Sequence, residues 1–288
     1  MTENNVYIHS QNSLKKIVFQ YILYIIPLVF YGIYKNGFLL WNRDLISFLD
    51  IFKLIYLLLI SIGIYFLIYK IIFKRKCIFT LELIYYFIIP LFMPPNINVL
   101  LYTIALFISS ILCLFLEKFC RFNKIAFCKL FIALCTLIFS NYTYLNIAEQ
   151  MNIYHLNYWD LLWGRNIGGI ATTNIIFGII ILIILVLLKN YKKIIALTSL
   201  ITFSVLILIF NNFDPFALIS SSAILGLILL NVDSTSTPRH RKSMYIYGIA
   251  LGILSFLLTN YLNPFEGVFI SSLFLSFFSP ILDKMFEK

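Results

Sequence analysis

Residues 175–188 read Ile-Ile-Phe-Gly-Ile-Ile-Ile-Leu-Ile-Ile-Leu-Val-Leu-Leu, fourteen positions with no charge and no polar side chain. A helix built from them is apolar on every face, so none of its faces can be turned to water. A run of that kind reads as a segment that crosses lipid. Working outward, nine more apolar stretches bring the count to ten: 17–34, 52–73, 83–93, 99–116, 127–144, 167–188, 194–210, 216–230, 245–262 and 268–282. Crossing ~30 Å of hydrocarbon at ~1.5 Å per residue takes about 20 residues. Most of the stretches approach that length. The third and eighth fall short, and proline marks both: Pro90, Pro94 and Pro95 interrupt the third and Pro215 opens the eighth. Proline removes a backbone donor, so the carbonyls it frees need partners inside the protein.

The composition agrees. Of 288 residues 61% are hydrophobic and 12% charged, about half the charge of a soluble domain, which excludes a water-soluble fold. The net charge of +10 does not describe a nucleic-acid binder, because the basic residues fall in small groups at the ends of apolar blocks, where they orient helices in a bilayer. With ten spans and the N-terminus in the cytoplasm, 18 of the 22 Lys and Arg lie in inner segments, and only Lys35, Arg43, Lys53 and Arg165 lie outside. Both termini are therefore expected in the cytoplasm. The first block, after Lys15 and Lys16, lacks a small-residue cleavage site and is expected to stay as an anchor. The five cysteines contain no Cys-x-x-Cys pair and read as small packing residues. The aromatic share of 18% fits a biased source composition better than a function.

The chain repeats itself weakly. An apolar helix ending at Met93-Pro94-Pro95-Asn96 is followed by a long helix, and one ending at Asp233-Ser234-Thr235-Ser236-Thr237-Pro238 is followed by another. Five spans per half would give the second half opposite polarity. The expected fold is thus an all-α integral membrane protein of ten transmembrane helices, two inverted five-helix repeats with Pro-interrupted helices. Residues 1–145 form the first repeat, 146–166 an outer linker and 167–288 the second repeat. Folds of this class place their site at the repeat interface near the midplane.

Catalytic constellations are missing. The three histidines, His9, His155 and His240, lie outside the apolar blocks without metal-ligand spacing, and no glycine-rich phosphate loop occurs. Carboxylates at the ends of apolar blocks carry the functional reading: Asp214, Asp233, Glu266 and Asp283. Each could cap a helix. Ionisable groups at membrane depth are costly and mark ion or proton relays. Asp233 has the stronger context, since Thr235, Ser236 and Thr237 add hydroxyl oxygens and Pro238 forces irregular backbone, a combination that can hold Na⁺ or polar cofactor atoms. Gly168 and Gly169 permit close approach of a neighbour or a planar ligand. Arg239, His240, Arg241 and Lys242 read as a topology anchor, with contact to an anion or an acidic partner as the other reading.

Several strings together resemble one family. Tyr7-Ile8-His9-Ser10 with Lys15-Lys16-Ile17, Pro27 and Gly32; Met93-Pro94-Pro95-Asn96; Asp233 through Pro238 with Tyr247-Gly248 and Gly252; Pro264-Phe265-Glu266-Gly267-Val268; and Ser279-Pro280-Ile281-Leu282-Asp283 are similar to segments of the D subunit of the Rnf ion-translocating electron-transport complex. The B subunit of the sodium-pumping NADH:quinone reductase is its relative. The resemblance implies a multi-pass plasma-membrane subunit that works with flavoprotein and iron–sulfur partners to couple electron transfer through flavin to Na⁺ or H⁺ movement. The chain departs from the family where a Ser-Gly-Ala-Thr motif would receive a phosphoester-linked flavin mononucleotide: residues 144–150 read Tyr-Leu-Asn-Ile-Ala-Glu-Gln. Covalent flavin is therefore not expected, and non-covalent FMN or riboflavin is the cofactor left open. Of the family's Gly-Ser-x-Gly-Glu-Thr-Ser string only Gly168 is kept in register. The alternatives are a solute or ion transporter on the same fold, or a membrane scaffold.

Overall fold

In a computed structural model the chain is described over residues 14–42, 44, 46–72, 80–140, 158–165, 168–188, 191–210, 223–233 and 235–286, and these residues are helical without strands. Helix α1, Leu14–Ile33, runs on through a wide turn at Tyr34–Phe38 and ends at Trp41. Helix α2, Lys53–Phe66, is preceded by a tight turn at Phe48–Phe52 and followed by a wide one at Leu67–Ile72. Then come α3, Glu82–Ile88, tightened into a 3₁₀ turn over Ile89–Phe92; α4, Val99–Leu116; and α5, Lys124–Phe139. A short α6, Tyr158–Leu162, precedes α7, Ile175–Leu187. The chain closes with α8, Lys193–Phe210; α9, Ala223–Leu230; α10, Arg241–Tyr261; and α11, Gly267–Met285.

Each of the ten apolar stretches overlaps one of these helices. Six of them are long and apolar enough to cross a bilayer: Lys15–Trp41, Phe48–Lys70, α4, α8, α10 and α11. The other four, α3, α5, α7 and α9, are shorter. The stretch 167–188 does not start as a helix. Residues 168–174 are irregular, and α7 begins only where the Asn174 side chain accepts from Phe177 N. Likewise α5 begins at Lys124, because Asn123 caps it by accepting from Ala126 N.

The molecule is apolar outside and partly polar inside. Phe19, Phe30, Leu59, Leu100, Leu137 and Ile201 are exposed, whereas Ser61, Ser109, Ser199, Ser255, Ser271 and Ser276 are buried. In lipid the hydrophobic effect gives helices no reason to associate, so small side chains and interhelical hydrogen bonds hold them. Ser61 and Tyr102 meet at 2.5 Å between α2 and α4, and Ser255 and Ser271 at 2.7 Å between α10 and α11. Helices α8 and α10 pack through Gly248 and Gly252. A Cβ on either would fall within 1.8 Å of Thr198 or Thr202 Oγ1 respectively.

Two cations change place relative to the sequence reading. Lys35, read as an outer loop residue, lies inside the wide turn of α1, 3% exposed, with Nζ donating to Thr173 Oγ1 at 2.8 Å. Lys129, counted with the inner cations, is fully buried within α5. Both sites are internal, so neither lysine acts as a loop charge.

Candidate functional site

The site is built on two short helices sheathed by the long ones. Every residue from Leu83 to Pro94 is buried, and so is every residue of α9 and on through Asp233. Sequences apolar all round require this, since a lipid-facing helix end with free backbone groups would be costly. Each short helix stops in irregular backbone inside the protein, and the freed groups find partners. At the end of α3, Leu91 O accepts from Ala171 N at 3.0 Å and Met93 O from Ile170 N at 2.8 Å. Gly169 permits that approach: a Cβ there would come within 2.9 Å of Leu91 O. At the end of α9, Ile228 O accepts from the Tyr191 hydroxyl at 2.8 Å, Leu230 O from Asn123 Nδ2 at 3.2 Å, and Leu227 O from Asn231 Nδ2 at 2.5 Å.

Asp233 lies where these pieces meet. It is fully buried. Its Oδ1 accepts three hydrogen bonds, from the Tyr85 hydroxyl of α3 at 2.8 Å, from Thr235 N at 3.0 Å and from Thr235 Oγ1 at 2.6 Å. Its Oδ2 is buried with no hydrogen-bond partner, as is Ser236 Oγ. A buried carboxylate oxygen without a donor is expensive, and the Ser236 hydroxyl three positions on can donate as well as accept. The pair is chemically suited to a hard cation or a transferable proton. Two of the bonds close a local turn at Thr235, as a capping carboxylate does, while the third reaches a different helix.

The remaining sequence candidates fall in different places. Thr237 is buried in the same loop, and Thr235 faces a cavity at the basic end of the bundle. Glu266 is not beside Asp233. It sits at the N-cap of α11, buried, in an ion pair with Lys129 Nζ, and that ammonium also lies 4.5 Å from the centre of the Phe269 ring. Phe269 packs edge-on to Phe92 at 4.8 Å, so the ion pair abuts the end of α3. Gly168 is buried in the segment before α7, but its neighbour Gly169 makes the close backbone approach. Asp214 lies outside the described residues, as does Ser234. Asp283 anchors the loop from the other side, its Oδ1 accepting from Arg239 N at 2.8 Å and His240 N at 3.3 Å.

Tyr85, Asn123 and Lys129 take part in this arrangement without having been singled out, whereas Gly169 makes the close approach that its sequence context suggested. For Asn123 a signal existed: a lone amide before an apolar run is a helix N-cap. Tyr85 and Lys129 offered none.

The sequence profile of the NQR2, RnfD, RnfE family matches residues 1–288. No curated protein matches the chain significantly.

Proposed function

The chain belongs to the NQR2, RnfD, RnfE family, and we propose from that membership that it is a membrane subunit of an electron-transport complex which moves Na⁺ or H⁺, with Asp233 as its ion- or proton-handling group. The supporting observation is the carboxylate itself: fully buried, bridging two interrupted helices, with one oxygen triply bonded and the other unsatisfied. Tyr85 and Thr235 hold Oδ1 and so fix the direction of Oδ2. Protonation or cation binding at Oδ2 would remove the cost of the buried charge, and loss of either would restore it. That difference is what lets a coupled reaction elsewhere drive uptake and release at the site. We also propose the inverted five-helix repeat, with both termini cytoplasmic, as the frame that brings the end of α9 against the first turn of α3.

Covalent flavin is not supported at the described threonines before α7, and non-covalent FMN or riboflavin is the cofactor left open. Thr172 and Thr173 are each 1% exposed, and Thr173 is held by Lys35, so neither can carry a phosphoester without displacing its packing. In this reading the chain supplies the ion site and the membrane frame beside the redox groups of the complex.

The test is Asp233→Asn in native membranes, with assembly and coupled ion flux followed together. An assembled complex without flux is the expected result. Normal flux from an assembled variant would end the assignment.

A further inference from the structure

Three loops, those leading into α5, α8 and α10, enclose a cavity of about 820 Å³ at one end of the bundle. Five cations line it, Arg121, Lys124, Lys192, Lys193 and Arg239, against one carboxylate, Glu117. Lys124 is paired with Glu82 at 2.5 Å and with Glu117 at 2.8 Å, which uses the one acidic lining group. Among the described residues none of the other four cations has a carboxylate within ion-pair reach. Lys192 is bonded to Pro238 O at 3.2 Å. Burial holds its pKa below the ordinary lysine value; Asp283 pulls it back up and Arg239 lowers it further.

Topology anchors need only reach the headgroup layer from the perimeter of a bundle, where they can spread apart. Here four cations without a carboxylate partner, from three separate loops, face one concave space. A cleft lined by one sign of charge concentrates field and draws in the opposite sign. The guanidinium of an arginine presents paired donors that match phosphate oxygens, and the volume is that of a ligand site, roughly 300–1,000 Å³. We propose that this cavity binds a phosphate-bearing anion. Basic pockets between transmembrane helices at headgroup depth take anionic lipid head groups, and a free phosphate offers the same oxygens. The cavity shares Thr235 with the Asp233 arrangement, but the proposal rests on the cations and stands without the Asp233 assignment.

The test uses the purified full-length chain, delipidated in detergent, at fixed ionic strength. Binding is read by intrinsic tryptophan fluorescence on heating and by native mass spectrometry. The probes are inorganic phosphate and pyrophosphate in one arm, cardiolipin and phosphatidylglycerol in a second, and zwitterionic phosphatidylcholine as reference. Saturable binding in either of the first two arms is expected. A response to pyrophosphate alone identifies a soluble ligand, and a response only to the anionic lipids identifies a membrane one. The variant R121Q/K193Q/R239Q should weaken that binding by about fivefold per cation removed, or about a hundredfold. The variant R241Q/K242Q/K284Q removes the same charge outside the cavity and should change it by less than about threefold. Should the cavity variant fail to insert, K193Q and R239Q singly, each about fivefold weaker, decide the matter. No saturable binding in either arm, or equal loss in both triple variants, would overturn the proposal.

Discussion

Replacing Lys129 by methionine leaves the Glu266 carboxylate buried with its ammonium gone. The two groups sit in the interior, Lys129 with a side chain 0% exposed and Glu266 with one 9% exposed, so water cannot take over. Removing one partner of a buried ion pair costs about 3–5 kcal/mol, well above the ~0.6 kcal/mol typical of a neutral interhelical hydrogen bond in a membrane protein. Lys129→Met keeps most of the aliphatic stem and removes the ammonium that lies over Phe269, so the loss reports the charge, its contact with the ring included, more than the packing. Glu266→Gln should cost a similar amount for the opposite reason, an ammonium left buried without its counter-charge. The double variant K129M/E266Q removes both charges and should recover most of the stability, since a buried pair is often worth little against a neutral replacement of similar size. The coupling energy of the cycle should therefore exceed about 2 kcal/mol. Unfolding in mixed micelles, followed by tryptophan fluorescence against denaturing detergent, measures all four corners. Single variants within about 0.5 kcal/mol of the parent, or simple additivity in the double, would refute the reasoning.

Three further predictions concern packing, orientation and cofactor. Gly252→Ala should destabilise by about 1–3 kcal/mol through overpacking, because the new Cβ meets both Thr202 Oγ1 and Ser199 O. Adding Thr202→Ala should return only part of that, since the Ser199 carbonyl stays at 2.8 Å. A reporter fused after Lys288 should be active only if it is of the cytoplasmic type, and activity of a type that works only outside would contradict the orientation. In-gel fluorescence after denaturation should show no flavin at the chain's mass of 33.6 kDa; a fluorescent band there would make Thr143, which lies outside the described residues, the acceptor to examine first.

The apolar blocks told most of the fold because lipid imposes one rule on every spanning helix. The stretch 99–116 coincides with α4 residue for residue. The rule is silent where the chain is buried in protein instead of lipid. Residues 168–174 looked like the start of a span because Ile170 and Ala171 are apolar, yet the N–H groups of these two are spent on Met93 and Leu91. Asp233 was legible because proline and hydroxyls crowd it in sequence. Its partner Tyr85 was not, since a tyrosine inside an apolar run is indistinguishable from eighteen others, and the two lie 148 residues apart. Lys129 was misplaced because a cation five residues into a helix looks like a loop charge, and the glutamate that neutralises it is 137 positions away.

Buried polar contacts join residues 14–140 to residues 158–286 through the full depth of the bundle. Lys35 holds Thr173 and Asn36 holds the Ile170 carbonyl; Lys129 holds Glu266, Tyr85 holds Asp233, and Asn123 holds both Ser276 and Leu230. Two bodies stitched at every level cannot tilt against each other without shearing buried polar bonds in a medium that supplies no replacement. Carriers that rock one half over the other to expose a cargo alternately to each side need a seam that slides, and this seam is riveted. If an ion moves through this molecule as proposed, side chains and the short irregular segments at the ends of α3 and α9 are the parts that can give way without breaking the seam.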